Sequence, residues 1–206
     1  MKAETAQAGA PFPMDKRHLR QQLRQARRAI PETERRGHAR RLARVVLSAG
    51  LLHGARRIGF YLPFDGEADL LPLMNRALLM GRVAYLPVVP PRFRRRLSFT
   101  RLTARPSWYL NRFGIHEHWS PRPVSARQLD LLFLPLVGFD AAGRRLGMGG
   151  GFYDATLAYL RQRSAWQKPR LIGVAFECQR VGALPHDAWD VPLDAVVTER
   201  RLYRCR

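Results

Sequence analysis

The chain lacks long apolar runs, carries few acids, and has almost no lysine or cysteine. No stretch reaches the length that a bilayer-crossing helix needs, so that class is excluded. Residues 1–13 hold no continuous apolar segment and lead into Lys16 and Arg17. A signal peptide is therefore not expected, and a cytoplasmic location is. The two cysteines, Cys178 and Cys205, stand far apart without metal-ligand spacing. That excludes a disulfide framework and a zinc module, and predicts two reduced thiols. Acidic residues number 16 against 36 lysines and arginines, for a net charge of +20. Lys2, Lys16 and Lys168 are the lysines; the remaining basic residues are arginines. Such a charge raises nucleic acid as a partner, but no reading motif accompanies it and the arginines spread through every segment. Nucleic acid and membrane are thus not the expected partners; a small polyanionic substrate, bound by a monomer, is.

What remains is a globular composition, 46% apolar over 206 residues. Residues 1–14 read as a disordered tail and 15–206 as a single domain. Asp15 caps a predicted helix running to Ile30, with Leu19, Leu23, Ala26 and Ile30 on one stripe. Pro31 opens a second, reaching about Gly50. From Arg57 strands and helices alternate. Strands are predicted at 58–62, 83–86 (stopped by Pro87), 129–134, 171–176 and 195–198. A helix is predicted from Asp69 to Met80, ended by Gly81. Aliphatic strands separated by helices indicate an α/β fold, a mainly parallel sheet covered on both faces. Residues 90–123 read as an antiparallel hairpin and long loop at the sheet edge. Trp108, Trp119, Trp166 and Trp189 read as packing residues, and Gln179 as a surface polar residue.

The most informative segment is Arg145-Leu-Gly-Met-Gly-Gly-Gly-Phe-Tyr-Asp154. Glycine loses the most entropy on ordering, so such a cluster needs positive φ angles or close approach to a ligand. A plain surface turn would need only one or two glycines. The P-loop string is absent, and the dinucleotide pattern fails because Phe152 stands where its third glycine belongs. A strand before the loop and a helix after it suit phosphate binding on free N–H groups. Arg144 and Arg145 supply charged donors, and Phe152 and Tyr153 supply rings for a flat ligand. Asp154, in the first helical turn, is either a cap or a Mg²⁺ ligand. Together these features favour a nucleoside triphosphate with magnesium.

With these residues in view the chain resembles the 5-formyltetrahydrofolate cyclo-ligases, also called methenyltetrahydrofolate synthetases. The glycine loop with its Phe-Tyr-Asp tail is the specific match. Lys16-x-x-x-Arg20, Phe60 to Asp69, Asn111 to Glu117, Leu134 to Asp140, Ile172 to Phe176 and Leu184 to Glu199 extend it over residues 16–199. The resemblance implies a three-layer, Rossmann-like α/β fold of the CoA-transferase kind, with an N-terminal helical pair. It implies an ATP- and Mg²⁺-dependent conversion of 5-formyltetrahydrofolate to 5,10-methenyltetrahydrofolate, with release of ADP and phosphate. ATP would be a co-substrate and folate the other small-molecule partner.

Carried over by position, the resemblance makes Lys16, Arg145 and Glu67 the catalytic residues. It puts ATP on Lys16, Arg20, Arg145, Leu146, Gly147, Met148, Gly149, Gly150, Gly151, Phe152 and Tyr153. It puts folate on Leu62, Glu67, Met148, Gly149, Gly150, Gly151 and Phe152, with Glu67 hydrogen-bonding the pterin. Asp154 and Asp190 would hold Mg²⁺, with Asp187 and Asp194 as nearby rivals of Asp190. Taken alone, Lys16 reads as a solvated lysine and Glu67 as a helix cap. Trp108 would lie in a loop closing over folate. Two departures stand out. Family members often carry a basic residue at the position of Met148 or Gly150, and this chain has none there. Arg144, Arg145, Lys16 and Arg20 must then supply the charge. Phe152 replaces a common tyrosine, keeping the ring but losing a hydroxyl.

Overall fold

A computed structural model describes residues 15–161, 168–185, 187 and 190–205. The tail expected over 1–14 lies outside these residues, as do Trp166 and Trp189. Helix α1 (Lys16–Arg28) begins where predicted, because the Asp15 carboxylate accepts from the Arg17 N–H at 2.8 Å. It buries Leu19 and Leu23, and Arg27 and Arg28 occupy its last turn, where the helix dipole favours cations. Helix α2 (Glu32–Ser48) buries Ala39, Leu42, Ala43 and Val46.

Strand β1 (Arg57–Gly59) is followed by helix α3 (Leu71–Leu79) and strand β2 (Val83–Val88). Strands β3 (Ser98–Arg101), β4 (Ser107–Leu110) and β5 (His116–Trp119) fill the middle of the chain. Next come β6 (Leu131–Pro135), the short β7 (Gly138–Phe139) and β8 (Arg145–Leu146), and helix α4 (Phe152–Leu157). Strands β9 (Arg170–Val174), β10 (Ala195–Val197) and β11 (Leu202–Arg204) complete the order.

Seven strands form one sheet in the order β11-β10-β9-β6-β1-β2-β3. Pairing is parallel from β10 through β2 and antiparallel at both edges. The two-residue period of the strands sorts the core. Leu131 and Phe133 of β6 join Ile58, Leu73 and Val46 under α2 and α3. Leu132 and Leu134 point the other way, toward Leu157, Leu160 and Val196. The fold is three-layered and mainly parallel, as expected. Its second outer layer is thin, made of α4 and 3₁₀ turns at Ala126–Gln128 and Ala158–Leu160.

Several boundaries differ from the sequence reading. Strand β1 stops at Gly59, because the chain then turns into the loop that carries Asp65 and Glu67. Asp69 accepts from the Leu71 N–H at 2.8 Å, so it precedes α3 and does not join it. Pro87 sits inside β2, past the last β1 partner Tyr85, where the ladder needs no N–H from it. Residues 90–123 do hold the expected hairpin, β4–β5, and also supply edge strand β3. Trp108 and Trp119 are 45% and 59% exposed, so neither packs in the core. Gln179 is buried, with Nε2 donating to the Leu136 and Val137 carbonyls at 2.7 and 2.9 Å.

The direction in which the chain adds strands to the sheet reverses between the parallel neighbours β1 and β6. From β1 the chain steps outward through β2 and β3; from β6 it steps the other way through β9 and β10. The carboxyl ends of β1 and β6 therefore open a crevice, the usual ligand position of parallel sheets. The core beneath it is close-packed, with Phe133 fully buried and its ring 5.4 Å from that of Phe60. Phe133→Ala should lower unfolding free energy by about 3–5 kcal/mol in chemical denaturation. A loss below about 1 kcal/mol would contradict this packing.

Candidate active site

The crevice is a cavity of about 810 Å³. Its floor is the carboxyl edge of the sheet: Tyr61 and Leu62 after β1, Leu86 and Pro87 of β2, and Leu134 and Pro135 of β6. One wall is the glycine loop with the start of α4, residues 147–155. Lys16 and Arg20 reach in from α1, Phe113 and Glu117 from the β4–β5 hairpin, and Asp187 and Asp190 from a later loop.

The glycine loop is set by the hairpin before it. Asp140 is buried and accepts from the N–H groups of Ala142, Arg144 and Leu184, each at 3.0 Å. That closes the β7–β8 turn and fixes where β8 delivers the chain. Gly149 and Gly151 then take φ of 91° and 66°, conformations that explain glycine there. Gly151 is also the N-cap of α4. That helix has only six residues, so its dipole is small, and the groups here that attract an anion are the loop N–H groups and the cations around them.

Those cations are placed by identifiable bonds. Lys16 and Arg20 lie one helical turn apart on the same face. Lys16 Nζ donates to Asp187 Oδ2, and Arg20 Nε donates to the Gly147 carbonyl at 2.9 Å. Arg145 is nearly buried, with its guanidinium donating to the Val191 carbonyl and Asp154 Oδ1. Arg144, expected to add charge, instead turns to Asp140 and the Leu184 carbonyl and does not line the cavity. The loop between β2 and β3 supplies Arg95, which does line it, with Nη1 3.5 Å from where a Cβ on Gly151 would sit. The sequence reading missed Arg95 because it lies in a run of arginines that looks like a solvated loop.

Glu67 lines the cavity from the loop after β1. Its side chain is 10% exposed, and Oε2 accepts from the Phe64 N–H at 3.2 Å. Burial pushes its carboxyl up to about 7, against the pull of Arg27, whose Nη1 is 3.9 Å away. Tyr61 and Tyr153 are raised in turn, first by burial and then by the Glu67 charge. Glu67 does not cap α3. Phe113, at the hairpin tip, meets Phe152 edge-on at 6.0 Å. It takes the place over the cavity that Trp108 was expected to hold; Trp108 sits on β4 against His118. Glu117 anchors the hairpin, accepting from the Val89 N–H, Tyr109 hydroxyl and Asn111 amide at 2.8, 2.6 and 2.7 Å.

Of the four candidate metal carboxylates, Asp154, Asp187 and Asp190 line the cavity. Asp194 instead accepts from the Leu171 N–H at 2.6 Å at the start of β9. Among the described residues no group of three or more His, Cys, Asp or Glu is arranged as a metal cage. Zinc and calcium need such a cage. Mg²⁺ fits one or two carboxylates, since it keeps waters and takes phosphate oxygens for the rest.

The profile of the 5-formyltetrahydrofolate cyclo-ligase family matches residues 13–199, across both the glycine loop and Glu67. The chain belongs to this family. It is 37% identical over 190 residues to 5-formyltetrahydrofolate cyclo-ligase of Escherichia coli, covering 88% of this chain and 98% of the relative. The Haemophilus influenzae cyclo-ligase is 40% identical over 146 residues, 68% and 73% of the two chains. Among solved structures, the 5,10-methenyltetrahydrofolate synthetase of Aquifex aeolicus superposes with a TM-score of 0.79 at 32% identity, covering 94% of each chain. Family membership and geometry thus draw on the same cavity. The residues that the resemblance assigned to ATP, folate or Mg²⁺ line it: Lys16, Arg20, Leu62, Glu67, Arg145 to Asp154, and Asp190.

No helix among the described residues is long and apolar enough to cross a membrane. Both cysteines are free thiols.

The raised Glu67 carboxyl makes stability depend on pH. The native state favours its neutral form, so stability is full below about 4.5 and falls as pH rises through about 7. Glu67→Gln should therefore be more stable than the parent at pH 8, by up to about 3 kcal/mol, and equal to it near pH 4. Parallel denaturation curves at the two pH values read this; a variant equally or less stable at pH 8 would contradict it.

Proposed function

We propose that the chain converts 5-formyltetrahydrofolate to 5,10-methenyltetrahydrofolate with consumption of ATP, and that it does so in the cytoplasm as a monomer. The observation that carries this reading is that a cationic glycine loop and a nearly buried carboxylate line one cavity. Phosphates suit the first, and a pterin, rich in N–H donors, suits the second. Lys16, Arg20, Arg145 and Arg95 would take the triphosphate, with the loop N–H groups of 147–153 as uncharged donors. Arg95 would supply the positive charge that Met148 and Gly150 do not. Leu62, Phe113 and Phe152 would pack the flat folate, and Glu67 would hydrogen-bond its pterin.

The chemistry asks little of the protein in covalent terms. A formyl oxygen on N5 is a poor leaving group. Its attack on the γ-phosphorus forms an O–P bond and breaks the bond to the β-phosphate oxygen, with the electron pair leaving on ADP. The formyl carbon is then an electrophile. N10 attacks it, loses its proton, and the C–O bond breaks to release phosphate. The protein's part is to align the oxygen with the phosphoryl group and to neutralise charge as it moves. Lys16 and Arg145 would neutralise that charge. Asp154 and Asp190 would hold Mg²⁺, which supplies further neutralisation of the phosphate oxygens. With Arg145 bonded to Asp154 in the structure, the same carboxylate also aims the guanidinium.

A basic nucleic-acid-binding role would rest on charge alone.

Three measurements test the reading. Incubation with ATP, Mg²⁺ and 5-formyltetrahydrofolate should produce methenyltetrahydrofolate absorbance. No ATP-dependent product from folded protein would overturn it. Asp154→Asn should lower kcat by about 100-fold or more with the fold intact, and near-parental turnover would remove its role. Arg95→Ala should raise the KM for ATP by about tenfold, consistent with loss of one charge-assisted bond; an unchanged KM would place Arg95 off the triphosphate.

A further inference from the structure

We infer that Arg27 is a positioning residue for Glu67, acting on the folate side of the cavity from a helix whose other end serves the phosphates. Arg27 is the largest charged side chain in the core and is fully buried. A guanidinium so buried is tolerated only when its donors are matched. Nε donates to the Asp65 carbonyl at 3.1 Å, Nη2 to Asp65 Oδ2 at 3.0 Å, and Nη1 to the Leu136 carbonyl at 3.3 Å. The same Nη1 lies 3.9 Å from Glu67 Oε1.

Asp65 does not require Arg27 for its charge, because Arg24 and Arg28 both pair with it as well. What Arg27 alone adds is the bridge from the Asp65 loop to the end of β6 and the positive charge beside Glu67. The groups that face Glu67 are Arg27 from α1, Asp65 from its own loop, Tyr61 after β1 and Tyr153 from α4. Of these, Arg27 is the cation. A planar fork is also what the geometry needs. One lysine ammonium could not reach the Asp65 carbonyl, the Leu136 carbonyl and the Glu67 carboxylate from one fixed stem. The role of Glu67 as a folate contact is taken from the proposed function; the physical link between Arg27 and Glu67 is not.

The two parts separate experimentally. Carbon-13 NMR of glutamate carboxyls, with Glu67 assigned through Glu67→Gln, reads its titration on the protein without substrates. The midpoint in the parent should fall near 7 and should rise by about one pH unit in Arg27→Met. An unchanged midpoint overturns the link, whatever the protein's activity. In turnover assays Arg27→Lys, which keeps the charge, should raise the KM for 5-formyltetrahydrofolate at least tenfold and leave the KM for ATP within about twofold. Equal changes in both constants would mean a general structural role and overturn the inference. Absence of any cyclo-ligase activity in the parent would instead remove the proposed function and leave the titration result standing. The lysine variant decides the case if the methionine variant fails to fold.

Discussion

One carboxylate ties the working edge of this molecule together. Asp65, itself in a left-handed conformation at φ 54°, receives Arg24, Arg27 and Arg28 from three positions of α1. Burial alone would raise its carboxyl, but hydrogen bonds from Arg24 and Arg28 and the charges of Arg24 and Arg27 hold it below the usual range. Three cations on one acid are tolerable because the site is a network with satisfied donors, and removing the acid would leave a buried guanidinium uncompensated. Breaking such buried pairs typically costs about 3–5 kcal/mol. The consequence is positional. With α1 locked to the loop after β1, Lys16 and Arg20 arrive at the glycine loop from the far end of the same helix.

The cavity then divides into two chemically distinct sides. The topological reversal between β1 and β6 opens the crevice, and the loops that leave these strands build its walls. Cations and free N–H groups gather on one wall, where the chain passes through glycines. On the β1 side stands Glu67, its carboxyl pushed up to about 7, with the buried Tyr61 and the partly buried Tyr153 nearby. A phosphoryl transfer between two bound substrates needs this separation, with the reacting atoms meeting at the boundary. In the proposed reaction Met148 to Phe152 would lie at that boundary. In the proposed reaction Asp154 and Asp190, from two segments, would hold a Mg²⁺ that takes its remaining ligands from water and phosphate.

The layered fold was legible from alternating aliphatic strands and capped helices, since period and capping are local. So was the glycine loop, because no regular element tolerates four glycines in five positions. Other features depended on partners remote in sequence. Gln179 looked like surface until its amide proved to bind two carbonyls at the end of β6. Trp108 and Phe113 sit on one hairpin, and only the turn geometry decides which of them overlooks the cavity. Arg144 turns away from the cavity and Arg95 lines it for the same reason: a side chain's direction follows the turn that carries it. Lys16 and Glu67 each had an ordinary local reading, and assembly around Asp65 brings both to the cavity.

The central claim is that one cavity holds a triphosphate on its glycine-loop wall and a folate on its Glu67 wall, facing each other. A crystal structure with a non-hydrolysable ATP analogue and 5-formyltetrahydrofolate tests it most directly. The account predicts the γ-phosphate among Lys16, Arg145 and the N–H groups of residues 147–153, with the formyl oxygen in line with it and the pterin on Glu67. A triphosphate bound elsewhere, or a folate whose formyl group points away from the glycine loop, would contradict it.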